Sequence, residues 1–431
     1  MEKFDAIVVG AGPAGLAATY TMAKAGLNVV IIERGDFAGS KNMMGGVLYH
    51  QPTKEVFPNF PEGAPLERHV IEQRYWLLSG DSAITFSHRN EKFAREPYNC
   101  YTVFRARIDK WFADQVREAG ALLIPETVVL DILRDSRGHV IGVRTGREEG
   151  DVFADVVILA DGANSLLTEK AGLRRKPEPD QMACAVKEII ALPGDLIDQR
   201  FNVTGKQGVT IEIFGEATAG MIGTGFIYTN MTSVSVGVGV LISDLIRENV
   251  NPNDLLERFK AHPAVQPLIE GGETREFLAH MIPEGGYDAM PQLCADGLLV
   301  AGDAAMMVNG LHREGSNMAL TSGKYAAEAV IRARKTRDFA AAQLSYYEQL
   351  LRDSFIMKDM KKYRSATRFF ENNKHFLSLY PQVANMAVEE MMTVDSTPKK
   401  EKQSKIIREV LRRRSIPGLV RDLWGMWRNL Y

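Results

Sequence analysis

The chain has 431 residues, 45% of them hydrophobic and 25% charged, with a formal net charge of −2. That length suits two closely packed domains or one domain with a large insertion, and the charge argues against a general nucleic-acid partner. Three dispersed cysteines, Cys100, Cys184 and Cys294, are too few for a disulfide framework, a four-cysteine zinc site or an iron–sulfur cluster, which points to reducing cytosol.

The first strand is expected almost at the start, with no signal peptide before it, around Ile7, Val8 and Val9. Gly10-Ala11-Gly12-Pro13-Ala14-Gly15 follows, then a helix of small and apolar residues to Lys24 and a second strand, Val29 to Ile32, closing on Glu33. This order reads as a dinucleotide-binding βαβ unit. Gly10 allows the tight turn, Gly12 lets the backbone approach a pyrophosphate, and Gly15 lets the helix pack closely on the sheet. The helix N-terminus offers N–H groups and a positive dipole end to phosphates. Glu33 is placed to accept the adenosine ribose hydroxyls and to repel a 2′-phosphate. The motif leaves FAD and NAD both open.

Arg34 and the glycine-dense run Gly39-Ser40-Lys41-Asn42-Met43-Met44-Gly45-Gly46 suggest a loop lying against a ligand, with Lys41 facing phosphates, or else a mobile surface loop. Short alternating runs across residues 67 to 104 look like the first strands of an inserted antiparallel sheet. Arg105 opens a helix ending at Gly120, Val128 to Leu133 and Val140 to Arg144 form a hairpin, and Val152 to Leu159 is a buried strand ending in Ala160-Asp161-Gly162. An Asp-Gly there suits the ligand edge of an α/β sheet, although ordinary turns use it too.

Long alternating strands fill Met182 to Ile242. In Val234-Ser235-Val236-Gly237-Val238-Gly239-Val240 the valines share one face and small residues the other. The small face suits a planar ligand or, equally, close packing. Pro283-Glu284-Gly285-Gly286-Tyr287 is a compact turn, and Leu298 to Val300 runs into Gly302-Asp303. A long helix, Met318 to Ala333, comes after Asn309-Gly310-Leu311-His312-Arg313-Glu314-Gly315. Asp303 can bind a sugar-alcohol chain, and the helix aims its positive end at an anionic ring. His312 reads as a hydrogen-bonded structural residue rather than a proton shuttle.

The order of Gly10 to Glu33, Asp161-Gly162 and Gly302-Asp303 resembles the glutathione-reductase-like, two-domain FAD proteins with a hydroxylase-type insertion. More narrowly, Lys41-Asn42 before Gly45-Gly46, the 283–287 turn and the 309–315 segment look like the FixC branch of electron-transfer-flavoprotein:quinone oxidoreductases, a resemblance that runs to about Lys400. It implies an α/β fold: a glutathione-reductase-like Rossmann domain binding FAD (1–66, 105–181, 288–342), an antiparallel-sheet quinone domain (67–104, 182–287), a helical extension (343–397) and a basic amphipathic tail (398–431). It implies a pyrophosphate over Gly10, Gly12, Pro13, Ala14 and Gly15, ribose on Glu33, and cofactor contacts at Arg34, Lys41, Asn42, Gly45, Gly46, Ala160, Asp161, Gly162 and Gly302. Arg105 would reach the phosphates, Asp303 the ribityl chain, and Gly315, Ser316 and Asn317 the flavin ring. A quinone cleft would lie near Gly285, Gly286 and Tyr287.

Single-chain quinone oxidoreductases of this family carry a four-cysteine iron–sulfur domain, which this chain lacks. A 4Fe–4S cluster is therefore expected only in a separate ferredoxin-like subunit, with a two-subunit electron-transfer flavoprotein as donor and membrane quinone as acceptor. No residue acts as nucleophile or base, since the chemistry belongs to the flavin. A geranylgeranyl-type prenyl reductase, an aromatic hydroxylase and a structural flavoprotein subunit are the rivals.

From Pro398 to Tyr431 ten basic residues face three acidic ones, a local charge of +7. Pro417-Gly418 is expected to break this tail into two helices, the last with Leu419, Val420, Leu423, Trp424, Trp427 and Leu430 on one face. Residues 404–431 then suit a membrane interface on the cytoplasmic side, or a helix docked on the protein body or a partner subunit.

Overall fold

The computed structural model describes residues 3–44 and 46–430, in two compact units. The first comprises residues 3–69, 95–182 and 280–364; the second comprises 70–94, 183–279 and 365–430.

In the first unit, β1 (Lys3–Val9), α1 (Pro13–Lys24) and β2 (Val29–Ile32) form the expected βαβ unit. Next come α2 (Arg105–Glu118), β3 (Leu122–Ile124) and β4 (Asp151–Leu159), then β5 (Leu298–Val300), α3 (Ser316–Thr336) and α4 (Phe355–Lys362). The parallel sheet runs β5-β4-β1-β2-β3, with Val300, Leu159, Val9, Ile32 and Ile124 aligned strand to strand. That register puts Ala301, Ala160, Gly10 and Glu33 side by side at the carboxyl edge. Ala6, Ile7 and Val8 are fully buried, as a parallel strand covered on both faces requires. Helices α1 and α3 meet at backbone distance, for a Cβ at Gly323 would lie 2.0 Å from the Ala14 carbonyl oxygen.

In the second unit the strands follow the order Glu273–Pro283, Met182–Ala191, Ser233–Leu241, Gly223–Thr229, Gln207–Gly215 and His69–Ser79. Val234, Val236, Val238 and Val240 share a core with Ile211, Ile227, Leu255 and Phe259. The opposite face is neither flat nor open. Pairing places Lys187, Gly237, Phe226 and Glu212 in one cross-strand row, and a Cβ at Gly237 would sit 2.3 Å from the Phe226 ring. The glycine there serves close packing. Glu212 and Lys187 are each 3% exposed on this face, and the Tyr228 hydroxyl donates to Glu212 at 2.6 Å.

The tail folds as α6 (Lys399–Arg413) and α7 (Ile416–Leu430), after α5 (His375–Met392). The break falls at Arg414 and Ser415, not at Pro417-Gly418. Pro417 lies in the first turn of α7, where its missing N–H has no intrahelical partner to lose.

Candidate functional site

Gly10 has a φ of +98°, and a Cβ there would strike the Ala160 carbonyl at 2.4 Å. A Cβ at Gly15 would fall 1.9 Å from the Gly10 oxygen, so α1 packs on the end of β1 as closely as the backbone permits. At Gly12 the situation differs: the nearest atom to an added Cβ is the Arg105 Nη2, at 3.6 Å. No side chain caps α1, and no acid occupies its first turn. Its N-terminus is therefore open to an anion.

Glu33 is buried, and each oxygen takes one main-chain N–H: Ala11 to Oε2 at 2.8 Å and Gly35 to Oε1 at 2.7 Å. These bonds fix the carboxylate against the glycine turn and leave each oxygen further acceptor capacity for a diol. Arg34 is exposed, and Lys41 pairs with Asp36 at 3.7 Å. Asn42 is half-buried; Gly45 lies outside the described residues. The Gly46 carbonyl accepts from Val103 at 2.7 Å, and Gly39, with φ +93°, packs on the Arg105 carbonyl and the Asp109 Cβ.

Arg105 begins α2. Its Nε and Nη2 donate to both oxygens of Asp109, one turn on, at 2.6–3.0 Å. Burial works against the Arg105 charge, but Asp109, together with Asp303 and Glu33, outweighs it and raises the guanidinium pKa. Burial pushes the Asp303 carboxyl up while Arg105 pulls it down. Sequence reasoning missed Asp109 as a site residue, although its i,i+4 spacing from Arg105 on a helix was a usable signal.

At the end of β4, Asp161 accepts from Ser165 at 2.7 Å, and burial raises its pKa. Arg174 donates to the Asn164 carbonyl at 2.8 Å and so ties down this loop. Gly162, with φ +81°, faces open space. Gly302 packs against α1: an added Cβ would meet the Ala14 Cβ at 2.8 Å. Gly315 is the N-cap of α3, which has neither a side-chain cap nor an acid in its first turn. Ser316 donates to the Val47 carbonyl at 3.4 Å, whereas the Asn317 Oδ1 is buried with no hydrogen-bond partner.

Gly285 and Gly286 form a tight turn, with φ +60° at Gly286. Tyr287 lies under the Lys361 ammonium, 5.6 Å from the ring centroid. His312 and Tyr363 meet edge to face at 4.8 Å, in line with a structural histidine.

These residues fit a dinucleotide. Gly10 to Gly15, Glu33, Arg105, Asp161, Asp303 and the start of α3 belong to one unit along the carboxyl edge of its sheet. The orphaned amide oxygen of Asn317 and orphaned hydroxyl of Ser40 are the kind of buried polar atoms a bound polar group satisfies.

Comparison with known proteins agrees with that chemistry. Residues 5–175 match a family of FAD-dependent oxidoreductases, and residues 366–430 match the ETF-QO/FixC family C-terminal domain. A protein named FixC from Azorhizobium caulinodans is 49% identical, over 98% of this chain and 97% of its own. A probable electron transfer flavoprotein-quinone oxidoreductase, YdiS, from Escherichia coli is 41% identical over 92% of each. Among solved structures, a geranylgeranyl bacteriochlorophyll reductase-like protein from Thermoplasma acidophilum superposes with a TM-score of 0.76 at 22% identity, over 99% of this chain and 100% of that one. At that identity the likeness is one of fold. The chain belongs to the ETF-QO/FixC family of FAD-dependent oxidoreductases.

Proposed function

We propose that this protein takes electrons from a two-subunit electron-transfer flavoprotein and delivers them through FAD to a membrane quinone, with a separate ferredoxin-like subunit carrying the 4Fe–4S cluster. FAD supplies the electron-transfer chemistry; the chain binds it, orients it and excludes water. The turn at Gly10, Gly12 and Gly15 and the N-terminus of α1 hold the pyrophosphate, with Arg105 beside it, braced by Asp109. Glu33 takes the ribose, Asp303 the ribityl chain and the 315–317 segment the ring, while the turn at Gly285, Gly286 and Tyr287 borders the quinone.

One observation supports a lipid-borne acceptor such as quinone over a water-soluble aromatic substrate: the face presented by α7. Gly418 and Asp422 are buried, and Gly425 packs on Phe369, while Ile416, Val420, Leu423, Trp424 and Trp427 point outward. Trp424 and Trp427 are 60% and 59% exposed. A helix docked by hydrophobic burial turns its apolar stripe inward; here it faces out, amid Arg421 and Arg428. The helix is nonetheless anchored, because Asp422 accepts from Arg414 at 2.7 Å and from the Tyr380 hydroxyl at 2.6 Å. Such a surface suits an anionic membrane interface on the cytoplasmic side, where the quinone resides. Among the described residues no helix is long and apolar enough to cross a membrane.

The test is anaerobic. The bound flavin is photoreduced, and its reoxidation is followed with a short-chain quinone in one cell and a prenyl substrate in another. Reoxidation by quinone alone is expected; reoxidation only by the prenyl compound overturns the proposal.

A further inference from the structure

Glu284 occupies an unusual position for a carboxylate. It follows the strand Glu273–Pro283, and its main-chain N–H donates to the Gln181 carbonyl at 2.8 Å, which fixes the start of the turn. A Cβ built on Gly310 would lie 2.0 Å from its Oε2 and 3.1 Å from its Oε1, so the carboxyl fills the space over that glycine. Gly310 belongs to a loop closed on itself, since Asn309 and Glu314 exchange both main-chain hydrogen bonds, at 2.9 and 3.1 Å. The loop leads directly into the Gly315 cap of α3 and the buried Asn317 amide. Glu284 is thus held between the turn assigned to the quinone and the loop that leads into the 315–317 segment assigned to the flavin ring.

On the reading of the protein as a quinone reductase, we propose that the Glu284 carboxyl gives one of the two protons required to make quinol. The balance is simple. Reduced flavin, when bound, would supply the electron pair and the first proton; the second proton moves from the Glu284 carboxyl to a quinone oxygen, and a solvent proton restores the carboxyl.

The surroundings suit a proton donor. Burial pushes the Glu284 carboxyl up to about 7. The ionisable groups on the elements packed against it are Tyr287 and Asp288 on its own turn, His312, Arg313 and Glu314 on the facing loop, Asp180 beside Gln181, and Lys361 above Tyr287. A donor whose pKa lies near the working pH is both protonated and able to transfer. Four residues earlier, burial and the charges of Arg105 and Arg34 lower His280 to about 4; it is neutral at neutral pH and does not compete as an acid.

The experiment uses FAD-loaded wild type and Glu284→Gln. Wild-type quinone reduction should fall as pH rises through about 7, where the donor is lost. Glu284→Gln should reduce quinone about 100-fold more slowly with that break gone, yet be reoxidised within twofold of wild type by ferricenium, an oxidant that takes no proton. Equal quinone rates and an unchanged pH profile overturn the proposal. So does an equal loss with quinone and ferricenium, which marks a packing role. A readout without turnover is the infrared carbonyl band of a protonated carboxyl in oxidised protein at pH 6, present in wild type and missing from Glu284→Gln. Its absence from wild type overturns the proposal even if no quinone is reduced, whereas failure of wild type to reduce quinone with the band present counts against the quinone reading alone.

Discussion

Arg105 and Asp109 form a pair whose two halves differ in what they can do when left alone. Asp109 is fully buried and the Arg105 side chain is 14% exposed, with three hydrogen bonds of 2.6–3.0 Å joining them. Asp109→Ala strands a buried guanidinium that cannot lose its proton, a loss of about 3–5 kcal/mol. In a unit of this size that lowers the melting temperature by on the order of 10 °C. Arg105→Ala strands a carboxylate instead, and burial already pushes its pKa up. Without Arg105 the carboxyl takes a proton, so the loss should be smaller, about 1–3 kcal/mol. The pH dependence follows. With its folded pKa raised above the unfolded value, the lone Asp109 favours the folded state as pH falls, so the Arg105→Ala deficit should shrink between pH 7 and pH 5. The Asp109→Ala deficit should not. Removing both groups should cost less than the sum of the singles. Equilibrium urea unfolding of wild type, the two variants and the double mutant at pH 7 and pH 5 measures the two single losses, the double loss and their pH dependence. A loss below about 1 kcal/mol for Asp109→Ala, or strict additivity, refutes this account.

Gly15→Ala forces a methyl group to 1.9 Å from the Gly10 oxygen; a loss of about 1–3 kcal/mol is expected, together with FAD content well below wild type after gel filtration, and full retention of both contradicts the packing seen here. His280 is lowered to about 4, first by burial and then by Arg105 and Arg34. Its folded pKa lies below the unfolded value, so the stability it contributes is complete above about pH 6.5 and declines as pH falls toward 4, by about 2–3 kcal/mol. His280→Gln should flatten that part of an unfolding-versus-pH curve, and an unchanged curve would show that another group is responsible. Replacing Trp424 and Trp427 with serine should weaken sedimentation with phosphatidylglycerol-rich vesicles at least about tenfold while leaving the melting temperature within about 1 °C, since neither side chain is buried; equal vesicle binding argues against the lipid-facing role.

What could be read from the sequence was what the sequence encodes locally. Gly10, Gly12, Gly15 and Glu33 lie within one βαβ unit, and their order along the chain is a local signature even though the Ala160 carbonyl against Gly10 and the Arg105 guanidinium nearest Gly12 come from far along it. The carboxyl-edge position of Asp161 and Asp303 followed from each residue ending a short apolar strand. Contacts that need register or long-range closure left no such trace. Alternation identified the valine face around Gly237, but its cross-strand neighbour Phe226 is set by pairing, and that neighbour decides between ligand floor and close packing. Glu284 appeared only as part of a turn, because the glycine it covers is 26 positions away.

The tail shows the same division within a single helix. Of the six residues that periodicity gathers on one stripe, Val420, Leu423, Trp424 and Trp427 are exposed while Leu419 and Leu430 are half-buried, and a stripe does not say which way it faces. Orientation is fixed by the opposite stripe. Gly418 and Gly425 allow close approach to the protein, with a Cβ at Gly425 falling 2.7 Å from Phe369, and Asp422 accepts from Arg414 and Tyr380. Polar bonds and small residues hold the inner side, and the apolar side is left to whatever solvent it meets. In water that arrangement forgoes most of the hydrophobic stabilisation the helix could gain, and the lipid interface proposed above is a medium in which the exposed tryptophans would recover it.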